Sequence, residues 1–129
     1  MATTWSSTGN RSAKATCTSG TESAPSGATP GVNLTGCKGV NVVVTADTTL
    51  SGAGTLKAYV YDADTFNAWV PCPDLDLSVT ASSVKGQGFA GIYVPGPRGR
   101  VAWVPSGVTY TGTNLYVWIN AVSFDERAV

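Results

Sequence analysis

The chain has 129 residues, enough for one domain that buries about two-thirds of the surface its unfolded form exposes. Only 12% of the residues are charged, the formal net charge is +0 and the pI is about 6.1, which leaves no electrostatic basis for gripping a phosphate backbone or an anionic membrane. Histidine is absent, so the usual general base, a common zinc ligand and every Ser-His or Cys-His nucleophile pair are missing together, and neither an enzyme nor a cofactor is expected.

Residues 1–31 are dominated by Thr, Ser, Gly and Ala, with Pro25 and Pro30, and read as an N-terminal arm or loop that is partly extended. Within it, Ala13 to Thr18 alternates small apolar with polar residues and suits an edge strand. Trp5 is a large apolar side chain that needs cover, either from the arm folding back or from a neighbouring molecule. No run of signal-peptide character opens the sequence and none is long enough to span a bilayer, so folding in the cytoplasm is expected. Cys17, Cys37 and Cys72 lack metal or redox spacing and read as buried thiols of a reducing compartment, with a Cys17–Cys37 bridge left open because both flank one Gly-rich loop.

Residues 32–122 carry the strand signals. Val40, Val42 and Val44 alternate with polar or outward positions, and Leu56, Ala58 and Val60 make one face opposite Lys57, Tyr59 and Tyr61. A strand from Phe66 to Val70 stops at Pro71-Cys72-Pro73, and Leu75, Leu77 and Val79 form a half-wet strand. Phe89 to Val94 is lightened by Gly91, which predicts a bulge or a close backbone approach. The two aromatic-rich runs Val101–Val104 and Leu115–Val122, separated by Pro105, Gly107 and Gly112, predict a β-hairpin, with Leu115, Val117, Ile119 and Ala121 on one face and Tyr116 and Trp118 on the other. Residues 123–129 form a polar C-terminal tail.

No segment sustains helical periodicity, and about seven or eight strands at a spacing of roughly 8–12 residues point to an all-β fold. The expectation is a single antiparallel β-sandwich of jelly-roll or Greek-key type, preceded by the extended arm.

The charged motifs have plain readings. Asp62-x-Asp64 and Asp74-x-Asp76 offer hard oxygen ligands, yet neither has the further acidic ligands of a calcium loop, and aspartate is a preferred turn former; a glycosidase carboxylate pair would need a larger cleft. No metal site is expected. Arg98 and Arg100 at a turn read as a solvated rim or, if they function, as salt-bridge partners of an acidic neighbouring subunit. The stronger signal is aromatic. If Tyr59, Tyr61, Tyr116 and Trp118 all lie outside, at about 150–250 Å² each they amount to roughly 600–1,000 Å², above the roughly 300–600 Å² of the largest patch on an ordinary monomer. Together with Trp5, Arg98 and Arg100 they form the candidate interface.

With the leaderless start, the Ser/Thr/Gly-rich residues 1–31, the low charge and the strand pattern ending in GRVAWVPSGVTYTGTNLYVWINA, the whole chain resembles the small β-sandwich accessory proteins of tailed-bacteriophage virions, the decoration or head-fibre class. The resemblance is one of overall style and carries no catalytic residues. It implies a virion structural protein assembled in the host cytoplasm, a homo-oligomer such as a trimer, docked on the major capsid protein or another virion protein, with neither nucleic acid nor membrane as partner. The alternative is a carbohydrate-binding module or receptor-binding tip that stacks a glycan on Trp69, Trp103 or Trp118.

Overall fold

Alternating valines build the centre of the molecule. In the computed structural model, which describes residues 3–9, 11–80, 85–94 and 99–123, Val40, Val42 and Val44 of β4 (Cys37–Ala46) are buried while Val43 between them is exposed. Beside β4 lies β12 (Leu115–Ser123), whose Leu115, Val117, Ile119 and Ala121 are buried as the alternation predicts. On the far side of β12 runs β2 (Ser12–Cys17), then β1 (Thr3–Gly9); beyond β4 runs β9 (Gly86–Tyr93). The result is a five-stranded antiparallel sheet in the order β1-β2-β12-β4-β9.

The second sheet is centred on β6 (Gly54–Tyr61), whose residues from Thr55 to Tyr61 pair with the whole of β10 (Arg100–Ser106). The other edge of β6 is shared by β7 (Trp69–Pro71) and β8 (Leu77–Val79), with a 3-10 turn at Pro73–Leu75 between them. β3 (Val32–Asn33) pairs with the start of β10, and β5 (Thr49–Gly52) with β11 (Thr109–Thr111) makes a separate ribbon. The fold is all-β, with antiparallel sheets, one of them curled into a half-barrel. Among the described residues no helix is long and apolar enough to cross a membrane. Inward residues of both large sheets, including Val42, Val117, Leu56 and Trp103, share one core.

The predicted hairpin does not form. β10 and β12 are both present, but they belong to different sheets: β10 pairs with β3 and β6, β12 with β2 and β4. The reason is burial. Every residue from Val101 to Pro105 is buried, so β10 needs cover on both faces, and a two-stranded hairpin cannot supply it. The turn residues Gly107 and Gly112 bracket β11 instead, and the chain crosses from one sheet to the other through the ribbon.

The first part of the segment expected as an arm is built into the first sheet. β1 and β2 form an antiparallel pair, and β2, expected as an edge strand, lies inside the sheet between β1 and β12. The following residues run along the edge of β10 that β6 leaves free, with Glu22 N donating to Pro105 O at 2.9 Å and Val108 N to Gly20 O at 3.0 Å. Trp5 sits opposite Ala15 and packs against the core, so it finds cover within its own chain.

Two local expectations shorten. β7 begins only at Trp69, because Asp62 O accepts hydrogen bonds from Thr65, Phe66 and Asn67 N and turns the chain there. Leu75 lies in the 3-10 turn, which leaves β8 to Leu77–Val79. The bulge predicted at Gly91 is present: the register of β4 against β9 shifts between Val40 and Val42, Gly91 has φ +70°, and its N–H donates to Asn41 Oδ1 at 2.9 Å.

The cysteines are free thiols. Cys17 pairs with Leu115 at one end of β12 and Cys37 lies opposite Ser123 at the other. Eight strand steps of about 3.3 Å place them roughly 26 Å apart, against about 4–7 Å between the Cα atoms of a disulfide, so the Cys17–Cys37 bridge is ruled out. Burial, then the Glu22 charge, push the Cys17 thiol up to about 12 against a smaller opposing hydrogen bond involving Thr3.

Candidate binding face

Because β12 alternates, the residues between its core positions, Tyr116, Trp118 and Asn120, stand on the outer face of the first sheet. The register surrounds them with a regular grid. Thr16 and Thr45 flank Tyr116, Lys14 and Val43 flank Trp118, and Ser12 and Asn41 flank Asn120. Trp118 and Val43 are 38% and 37% exposed, which makes them the apolar centre of this face.

The side chains hold one another in place. Trp118 Nε1 donates to Thr45 Oγ1 at 3.0 Å, the Tyr116 hydroxyl donates to Asp47 Oδ1 at 3.1 Å, and the Ser12 hydroxyl donates to Asn120 Oδ1 at 2.8 Å. The two rings lie 6.3 Å apart at 45°, and Lys14 Nζ reaches both, 5.4 Å from the Tyr116 centroid and 5.1 Å from that of Trp118. Exposed cation–π contacts of this kind contribute about 0.5–1 kcal/mol each. Beside Trp118 a shallow depression of about 160 Å³ is lined by Ser12, Asn41, Val43 and Asn120. The face is thus an ordered aromatic and polar surface.

Asp47 anchors one end of the grid. Its Oδ2 accepts the N–H groups of Thr113 and Asn114 at 2.8 and 2.7 Å, fixing the turn that leads into β12. The backbone hydrogen bond from Asn114 is the main cause that holds its carboxyl below the ordinary aspartate value of 3.8. A depressed folded-state value means that the stabilisation is complete above the unfolded carboxylate's titration and is lost as pH falls through 3.8 and below. The difference in Tm between the wild type and Asp47→Ala is therefore expected to narrow between pH 7 and pH 3 in thermal melts. A constant difference would contradict the ionic role of Asp47.

The other predicted residues are dispersed. Tyr59 and Tyr61 stand on the outer face of the second sheet, so the single large aromatic patch divides into two separate ones. Tyr61 stacks on Trp69 at 5.2 Å and 27°, its hydroxyl donates to Asn67 Oδ1 at 3.0 Å, and Trp69 Nε1 donates to Gly27 O at 2.8 Å. Arg100 is turned to its own chain: Nε donates to Pro30 O at 2.9 Å, and Nη2 to Thr29 O and Gly31 O at 3.0 and 3.1 Å. Arg98 lies outside the described residues. Trp103 is fully buried, its Nε1 donating to Leu75 O at 2.9 Å, and cannot stack a glycan. Asp76 Oδ1 accepts Ala58 N, and Asp62 Oδ1 accepts Asp64 N, which are structural roles.

Sequence reasoning passed over Lys14, Val43 and Tyr93. Tyr93, 68% exposed, lies on the edge strand β9. For Lys14 and Val43 the outward alternation was a usable signal; their position on either side of Trp118 was not, because strand order is not written in periodicity.

No protein-family model matches the chain, and no curated protein or solved structure does either. The likeness to phage accessory proteins therefore rests on the sequence features alone.

Proposed function

We propose that the protein works by contact rather than catalysis, as a non-enzymatic structural protein that decorates or stabilises a phage capsid or tail through its outer sheet face. The observation that carries this reading is the pre-ordered grid around Trp118 and Val43: an apolar centre inside a polar rim, held by its own hydrogen bonds. Such an arrangement has the anatomy of a protein interface, and prior ordering lowers the entropy lost on docking. The virion as location, the major capsid protein as partner and a trimeric or other ring-shaped homo-oligomer follow from the sequence resemblance. We read the two-sheet arrangement as a Greek-key type of sandwich, supported by the return of β12 to a place between β2 and β4.

Co-sedimentation with assembled capsids tests the proposal. Wild-type protein is expected to pellet with them, and Trp118→Ala to bind at least tenfold more weakly, the scale of an interface hot spot. A wild type that stays in the supernatant, or a Trp118→Ala variant that binds equally well, would refute it. A glycan-binding reading draws on the depression beside Trp118, where Ser12, Asn41 and Asn120 offer hydrogen bonds. Glycan-array binding lost in Trp118→Ala, without capsid binding, would select that reading.

A further inference from the structure

Where residues 18–31 run beside β10, they enclose with β1 a pocket of about 310 Å³, away from the sheet face described above. Trp5, Pro25, Pro30 and Val104 give it apolar walls, Ser26 a hydroxyl and Glu22 a carboxylate. Glu22 is 8% exposed. Its Oε1 accepts the Thr3 hydroxyl, whereas its Oε2 is buried without a hydrogen-bond partner among the described residues. A carboxylate oxygen withdrawn from water and left unpaired is costly, more so than a neutral acceptor. The carboxylate's field reaches both Cys17 and Tyr110, where after burial it is one of the charges that raise their titration.

The chemistry of a matching ligand follows from these groups. A positive donor satisfies both the charge and the open acceptor position. A guanidinium fork needs two free carboxylate oxygens for bidentate pairing, and Thr3 already occupies one. A compact ammonium needs only one, its alkyl stem fits the apolar walls, and the Trp5 ring adds cation–π attraction. We propose that this pocket binds a primary alkylammonium group, with Glu22 as its charge partner and Trp5 as its aromatic wall. Because Oε2 has almost no accessible surface, binding includes a turn of the glutamate about its broad terminal torsion. The ammonium belongs either to a small free amine or to a lysine side chain of another protein.

The test is an NMR titration of the full ¹⁵N-labelled chain at pH 7, following the Trp5 indole N–H and the Thr3 amide. The probes are n-butylammonium, 1-butanol as its neutral counterpart, and the capped tripeptide acetyl-Gly-Lys-Gly-amide. Saturating shifts with butylammonium, at least tenfold weaker with butanol and lost in Glu22→Gln, are the expected result. Tighter binding of the tripeptide than of butylammonium assigns the site to a lysine side chain, and the reverse assigns it to a free amine. Absence of saturating shifts, equal response to butanol, or an ammonium preference that survives in Glu22→Gln would overturn the proposal. The wild-type comparison of ammonium with alcohol decides even if the variant folds poorly, and it does so whether or not the protein binds capsids.

Discussion

Replacing Trp103 with alanine is expected to cost about 3–5 kcal/mol of stability, the range for removing a fully buried large aromatic side chain. Trp103 is 0% exposed, belongs to the shared core and sits on β10, the strand that pairs with β6 along its whole length. Its loss removes packing from both sheets at once and leaves Leu75 O without the indole donor. At this chain length the loss corresponds to a fall in Tm of roughly 10–20 °C. Trp103→Phe separates the two contributions, because it keeps an aromatic ring but removes the N–H, and is expected to cost about 1–3 kcal/mol. Urea unfolding of the two variants measures both. A Trp103→Ala variant within about 1 kcal/mol of wild type would contradict the burial of β10 between layers.

Gly31→Ala is expected to be the most damaging of the small substitutions. Gly31 has φ +69°, a region that side chains disfavour, and a Cβ placed there would lie 1.9 Å from Val101 O and 2.9 Å from Ala102 Cβ. Left-handed strain and backbone displacement together amount to about 2–5 kcal/mol. The displacement would also disturb the Thr29–Gly31 carbonyls that receive Arg100. Gly27→Ala is the matched control: its φ is +83°, yet among the described residues nothing lies within 4 Å of the added carbon, so only about 1 kcal/mol is expected. Chemical denaturation of the pair isolates the close approach from the dihedral cost. Equal losses would mean that residues 18–31 do not press against β10 as described.

Both experiments bear on how the chain divides between local and long-range information. Alternation alone identified β4, β6 and β12 and the inward faces of β4 and β12, since side-chain direction in a strand is a local property of the backbone. Gly91 announced its bulge for the same reason, a residue without Cβ where one strand carries an extra residue. Arg100 misled, because a guanidinium beside a turn looks solvated in sequence and only folding shows three carbonyls of its own chain waiting for it.

The run from Arg100 to Val122 marks the boundary most clearly. Alternation in the sequence is enough to find β10 and β12 within it, to turn Leu115, Val117 and Ile119 inward, and to turn Tyr116 and Trp118 out; the short β11 between them is not marked. Only the tertiary structure decided that these strands part company, one to each sheet, and that β2 comes to lie beside β12 and sets Lys14 over both rings. The physical reason is that burial pattern specifies which face of a strand avoids water, whereas its neighbours are chosen by how all the apolar faces are covered together.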